Sequence, residues 1–185
     1  MCEGYLYTGT GFWDTFRCLF PLLNLVYPDE SLKMMEGFVN VYKESGFFPE
    51  WSSPGHRGCM VGNNSASVMA DAFMKGIRVE DTATMMEGLL HGKNAVHPTV
   101  NSSGRLGYDY YNRLGYVPYD VNIKENAART LEYAYDDWCI LQIAKTLNAE
   151  AAAKGVKKSK LPVAAATIRQ LNEQVLNYRN LFDPE

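Results

Sequence analysis

The stretch "NAARTLEYAYDDWCILQIAKTLNAE", residues 126–150, contains neither Gly nor Pro. Nothing in it stops a helix, and its residues are mostly good helix formers. Ala134, Trp138, Leu141 and Lys145 fall on one side at helical spacing, and Ile140, Ile143, Ala144 and Leu147 on another. Apolar residues on two faces predict a helix over about 122–148 that is buried on most sides. A chain built round such a helix must supply several others to cover it. Asn122 and Glu125 in "NIKE" have the spacing of a capping box, which sets the predicted start.

The rest of the chain supplies those helices. A first is predicted over about 13–26, interrupted by Pro21. The second is "YPDESLKMMEGFVNVYKESG", with Pro28 and Asp29 at its start, a stripe of Leu32, Met35, Phe38, Val39 and Tyr42, and Gly46 as its stop. "NNSASVMADAFMKG" ends at Gly76 and "EDTATMMEGLLHG" at Gly92. "SGRLGYDYYNRLG" is a weaker helix, because Gly107 falls inside it. A seventh covers about 162–181, with Ile168, Leu171, Val175 and Tyr178 as its stripe. No alternating strand pattern of useful length appears. The predicted class is all-α, built from helix pairs as in helical toroids and solenoids. The basic, low-complexity residues 149–162 read as a surface insertion.

Composition narrows function by exclusion. Of 185 residues, 46% are apolar and 21% charged, enough for one domain with a real core. A net charge of -3 and no basic patch argue against a nucleic-acid partner. No 18-residue apolar run exists to span a membrane, and the N-terminal residues lack the pattern of a signal peptide. Neither the four cysteines nor His56, His91 and His97 show metal-ligand spacing. "TGTG" does not follow a strand, so a phosphate loop is not indicated. Asn63 and Asn101 each begin an Asn-X-Ser triplet, a pattern frequent by chance.

Two groups of residues could carry chemistry. Glu132 and Asp136 share a helical face about 6 Å apart. Inverting glycosidase pairs stand ~6.5–9.5 Å apart. Acids placed early in a helix to meet its dipole explain the same pattern without catalysis. In "GTGFWDTFRCLFPLL", residues 9–23, Trp13, Asp14 and Arg17 offer an aromatic platform, a hydroxyl acceptor and a donor fork, a set suited to a sugar. An Asp–Arg salt bridge at i,i+3 beside a core Trp is the plain alternative. His56 lies in the Gly- and Pro-rich loop "SSPGHRG", where function often concentrates.

Taken in order, "GTGFWDTFRCLFPLL", "GFFPEWSSPG", "CMVGNNSASVMADAFMKGI", "LGYVPYD", "ARTLEYAYDDWCILQIAK" and "NYRNLFDPE" resemble glycoside hydrolase family 92, the calcium-dependent exo-acting α-mannosidases. The resemblance runs nearly end to end, with "FWDTFR" and "TLEYAYDDW" the most specific phrases. It implies an (α/α)6 toroid that follows a β-sandwich domain, of which residues 1–185 would be the N-terminal half, an internal piece of a longer polypeptide. It implies an inverting enzyme, often α-1,2-specific, that removes terminal mannose from N-glycans or mannans in the periplasm or outside the cell.

The family's general acid lies in a Glu-Gly-Asn motif and its base in a Gly-Asn-Asp-Asp motif, and neither occurs here. The resemblance therefore assigns no catalytic residue to this chain, and it places most calcium ligands elsewhere. It gives Trp13, Asp14, Arg17, Glu132 and Asp136 to the sugar pocket, with Asp14 accepting mannose hydroxyls and Arg17 pairing with Glu132 or Asp136 at the pocket floor. At "GNNSAS" the family often has a His where Ser65 or Ala66 stands, which leaves the role of that loop open. A non-catalytic helical module that binds carbohydrate or serves as a scaffold is the alternative from another class.

Overall fold

The computed structural model describes residues 3–7, 9–53 and 55–182. Cys2 and the last three residues of "NYRNLFDPE" lie outside them. The chain is all-α apart from one minimal antiparallel pair, in which β1 (Thr10–Gly11) faces β2 (Trp51–Ser52). The helices are α1 (Phe12–Thr15), α2 (Leu19–Val26), α3 (Pro28–Ser45), α4 (Ser65–Met74), α5 (Thr82–Lys93), α6 (Tyr108–Leu114), α7 (Asn126–Ala153) and α8 (Ala165–Gln174).

α7 is the centre of the arrangement. α4, α5 and α8 pack on it, α2 packs on α3 and α4, and α3 packs on α4 and α5. Its residues Tyr133, Ala134, Cys139, Ile140, Leu141, Ile143 and Ala144 are buried. The main core adds Phe12, Phe20, Met35, Phe38, Met69, Phe73, Met85 and Leu89 from the surrounding helices. Burial is not complete on the second side. Leu131, Tyr135 and Trp138 remain 42–47% exposed and form an apolar stripe beside Val175 and Tyr178. Leu19, Leu22, Leu25 and Val26 make a second exposed apolar stripe on α2.

Several predicted boundaries move. The first helix divides at residues 16–18, upstream of Pro21, which sits in the first turn of α2 where its missing N–H costs nothing. Asn122 and Glu125 do not form a capping box. Both have left-handed backbone, with φ of 56° and 52°, and α7 starts after them. Instead Arg129 closes this corner, its Nε donating to the Lys124 carbonyl at 2.9 Å. α5 passes through Gly92 to Lys93, and its Gly88 is used for close packing. A Cβ on Gly88 would lie 2.6 Å from the Phe48 ring. Gly107 stands before α6, left-handed at φ 80°, and not within it. The seventh helix ends at Gln174 and continues as a 3-10 turn, Asn177–Leu181. Residues 149–153 extend α7, while 154–160 are exposed.

Candidate functional site

The N-terminal end of α1 is set by three contacts made before any polar side chain is placed. Gly11 lies against the Trp51 indole, where a Cβ would come within 2.6 Å of ring carbon Cε3. The next residue, Phe12, is fully buried, with its ring centroid 4.8 Å from that of Phe38 and 5.5 Å from that of Phe20. Its backbone N–H donates to the Glu50 carbonyl at 2.9 Å. With Phe12 locked inward, the next two residues of the turn, Trp13 and Asp14, come out at the surface.

Trp13 is then held by α7. Its indole Nε1 donates to Glu132 Oε1 at 3.1 Å. Arg17 Nη2 reaches the same oxygen at 3.4 Å. The guanidinium lies 4.9 Å from the Trp13 ring centroid and 4.6 Å from that of Phe16, a cation–π sandwich. A shallow groove of about 340 Å³ runs beside it, lined by Phe16, Arg17, Leu131, Glu132 and Tyr135. Asp14 is exposed and has neither a hydrogen bond nor an ion pair to any described residue. The alternative i,i+3 bridge between Asp14 and Arg17 is therefore not formed. Arg17 pairs with Glu132, and it stands 47% exposed rather than at a buried floor.

Asp136 behaves differently from Glu132, one turn away. It is fully buried and is not beside Arg17. Its Oδ2 accepts from the Asn63 backbone N–H at 2.8 Å, just ahead of α4. Asn63 is also held by Glu50, to which its Nδ2 donates at 2.9 Å. Glu50 further receives the Ser65 N–H at 3.0 Å and the Ser65 hydroxyl at 2.6 Å. Burial pushes the Glu50 carboxyl up to about 7, and it holds Asp136 well above the ordinary carboxylate range.

Next to this layer stands a second buried cluster. Asp137 receives Arg105 at 2.7 Å and Lys93 at 3.4 Å, all three with fully buried side chains. The Tyr111 hydroxyl donates to Asp137 at 3.0 Å. Burial brings the Lys93 ammonium down to about 8, opposed by Asp137.

Sequence reading missed Glu50, Asn63, Lys93, Arg105 and Asp137. A signal existed for some of them. Glu50 lies within the loop "GFFPEWSSPGHRGCMVG", already marked by its composition, Asn63 directly follows it, and Arg105 is the one cation in a glycine-punctuated turn. Asn63 is 3% exposed, so it is no glycosylation acceptor in this fold. His56 is half-buried, with Ser45 Oγ at 2.8 Å and Ser103 Oγ at 3.2 Å, where burial and the neighbouring His97 lower its pKa.

The same order of elements is found in known proteins. The family described as glycosyl hydrolase family 92 catalytic domain matches residues 2–185. The chain belongs to glycosyl hydrolase family 92. It superposes on a family 92 inverting mannosidase of Bacteroides thetaiotaomicron with a TM-score of 0.84 and 46% identity, over 98% of this chain. A family 92 α-mannosidase from the same organism, solved with mannoimidazole, gives 0.79 and 31% identity over the whole chain. An uncharacterized secreted glycosidase of Arthroderma benhamiae is 28% identical over 121 residues, 60% of this chain. The chain spans 22% of the length of the two solved mannosidases and 16% of the fungal relative.

Family 92 implies calcium, and the described residues can be tested for it. Among them, no group of three or more His, Cys, Asp or Glu side chains is placed to hold a metal ion. The buried acids Glu50 and Asp136 face Asn63 and Ser65 donors and the Arg105 guanidinium. The donor set therefore does not fit calcium, and no step of the reaction on this chain is routed through one. No helix of the described residues is long and apolar enough to cross a membrane.

Proposed function

We propose that this chain forms part of the catalytic domain of an exo-acting α-mannosidase that removes terminal α-mannose from N-glycans or mannans with inversion. One observation carries the reading. Asp14 is an exposed carboxylate without a partner among the described residues, next in sequence to an indole whose own N–H is already satisfied by Glu132. A carboxylate so placed accepts hydrogen bonds from sugar hydroxyls, and an aromatic edge beside it excludes water from the ring's apolar face. In this reading Asp14 and Trp13 touch the mannose. Arg17 and Glu132 hold Trp13, and Asp136 supports the helix ends from beneath.

The proton transfers of inversion need a general acid and a general base some way apart. We place both, together with the calcium ligands, in other segments of a longer polypeptide. The resemblance to much longer mannosidases supports this, as do the two exposed apolar stripes, on α2 and along α7. In a complete (α/α)6 toroid those stripes meet further helices and the β-sandwich domain. Burial of several exposed large apolar residues is the usual driving force for such docking. The secreted fungal relative supports an extracellular or periplasmic setting. Preference for α-1,2 linkages stays part of the proposal.

The test is aryl α-mannoside hydrolysis by the natural polypeptide that contains this chain. Asp14→Ala should lower kcat/KM at least about tenfold with an unchanged melting temperature, because a lost hydrogen bond to a charged group is worth ~1.5–3 kcal/mol. Mannose binding without turnover would instead support a carbohydrate-binding module. Full activity in Asp14→Ala would remove Asp14 from the pocket.

A further inference from the structure

The buried layer beneath the candidate pocket has unequal numbers of charges. Among the described residues it holds three buried carboxyl groups, Glu50, Asp136 and Asp137, and two buried cations, Lys93 and Arg105, while a further buried cation, Arg129, is paired with the half-exposed Glu125 at the start of α7. Both cations turn to Asp137. Nothing of opposite charge is hydrogen-bonded to Glu50 or Asp136. Glu50 has three neutral donors, from Asn63 and Ser65, and Asp136 has one, the Asn63 N–H. Among the described residues Asp136 Oδ1 and Asn63 Oδ1 are buried without any partner, as are Nε and Nη2 of Arg105, whose Nη1 is taken by Asp137. Two full negative charges, linked through one asparagine and shut away from water, carry a large desolvation penalty.

We propose that the Glu50–Asp136 pair holds a single proton at neutral pH, and that Glu50, kept in place by that proton, is a positioning residue for the Trp13–Asp14 turn. The connection is direct. The Glu50 carbonyl receives the Phe12 N–H at the start of α1, while its side chain grips Asn63 and Ser65 at the start of α4. One bound proton leaves two carboxylates against two cations, which balances the layer.

The surroundings are consistent with this. Asp136 is faced by Arg105, which favours its ionisation, and by Glu50 and Glu132, which oppose it. Tyr133, Tyr135 and Cys139 of its own helix feel its charge. Glu50 is faced by Ser65, Asn63 and Asn64, whose hydrogen bonds favour the ionised form without offsetting burial. A carboxyl with a raised folded pKa stabilises the fold fully below its unfolded value. That stability is lost as pH rises from 4.5 to about 7, the folded value of Glu50, and further as Asp136 ionises.

The experiment compares the natural polypeptide with Glu50→Gln and Asp136→Asn. Each substitution leaves two carboxylates and two cations, so neither variant needs the proton. Infrared spectra near neutral pH should show a protonated-carboxyl carbonyl band in the wild type that loses intensity in both variants. The wild-type melting temperature should fall by at least about 4 °C from about pH 5 to about pH 9, and each variant should lose at least half of that slope. Should Glu50→Gln fail to fold, the infrared band of Asp136→Asn decides alone. An identical band and slope in wild type and variants would overturn the proposal. The positioning role rests on the mannosidase reading. It predicts an alkaline fall in kcat/KM that disappears in Glu50→Gln, and an alkaline limb unchanged by that substitution would remove the role. If the band and slope behave as stated but no mannoside is hydrolysed, the proton stands and the mannosidase reading falls.

Discussion

Glu132 and Asp136 lie one turn apart on α7, both carboxylates, both on the face turned toward α1 and α4. Glu132 keeps 16% of its side-chain surface in water and meets an indole N–H and a half-exposed guanidinium. Asp136 has no exposed surface and meets a backbone N–H. The two regions differ in dielectric more than in chemistry. In the outer one, charges are solvated and their pairing is weak, so Asp14 can stay unpartnered at little cost and be available to a ligand. In the inner one, each charge must be balanced or neutralised, so its partners are fixed. The outer region can change with substrate, and the inner one holds the frame from which it does so.

The sharpest way to break the comparison is to remove a charge from the inner region. Asp137→Ala leaves Arg105 and Lys93 buried with no carboxylate between them. A loss of about 3–5 kcal/mol is expected, read by chemical denaturation of the natural polypeptide. Asp137→Asn should cost less, since it keeps an acceptor for Arg105. A loss below about 1 kcal/mol for the alanine variant would mean that the inner cluster is reached by water.

A smaller effect is expected where the two regions join. Gly11 has an ordinary φ of -105°, so alanine there meets no backbone strain. The obstacle is the Trp51 ring, 2.6 Å from the added Cβ. Gly11→Ala should cost about 1–3 kcal/mol through overpacking, and it should shift the tryptophan fluorescence because Trp51 must move. Unchanged emission and stability would show that β1 and β2 can separate freely at this point.

Much of this was legible in the sequence. α3 follows from its stripe and stop signal, α4 from its terminal glycine, and α7 from a run with nothing to interrupt it. The gathering of Trp13, Arg17 and Glu132 followed from family resemblance, not from spacing. What could not be read was depth. Periodicity says which residues share a face of a helix, and it placed Glu132 and Asp136 together correctly. It does not say how far that face sinks as α4 closes over it, and depth separates a solvated pairing residue from a buried acid. The false capping box at Asn122 and Glu125 has a related cause. Spacing matched, but the left-handed turn that Arg129 closes is set by tertiary contacts. The pairing of Arg105 and Lys93 was illegible because their partner, Asp137, is remote in sequence.

The smallest expected effect belongs to the outer region and tests it most directly. Were Arg17 the floor of a buried pocket, its removal would strand a carboxylate and cost about 3–5 kcal/mol. At 47% exposure, with a 3.4 Å contact to a partner that still has water and the Trp13 indole, the pair is worth at most about 1 kcal/mol. Part of that comes from the guanidinium lying against Trp13 and Phe16, a direct contact that salt screens less than the ion pair. Arg17→Ala should therefore lower the melting temperature by no more than about 4 °C, and raised salt should narrow the gap to wild type without closing it. A double-mutant cycle with Glu132→Gln should give a coupling of about 0.2–1 kcal/mol. A coupling several times larger would place Glu132 with Asp136 in the buried layer, and the contrast between the two turns of α7 would not hold.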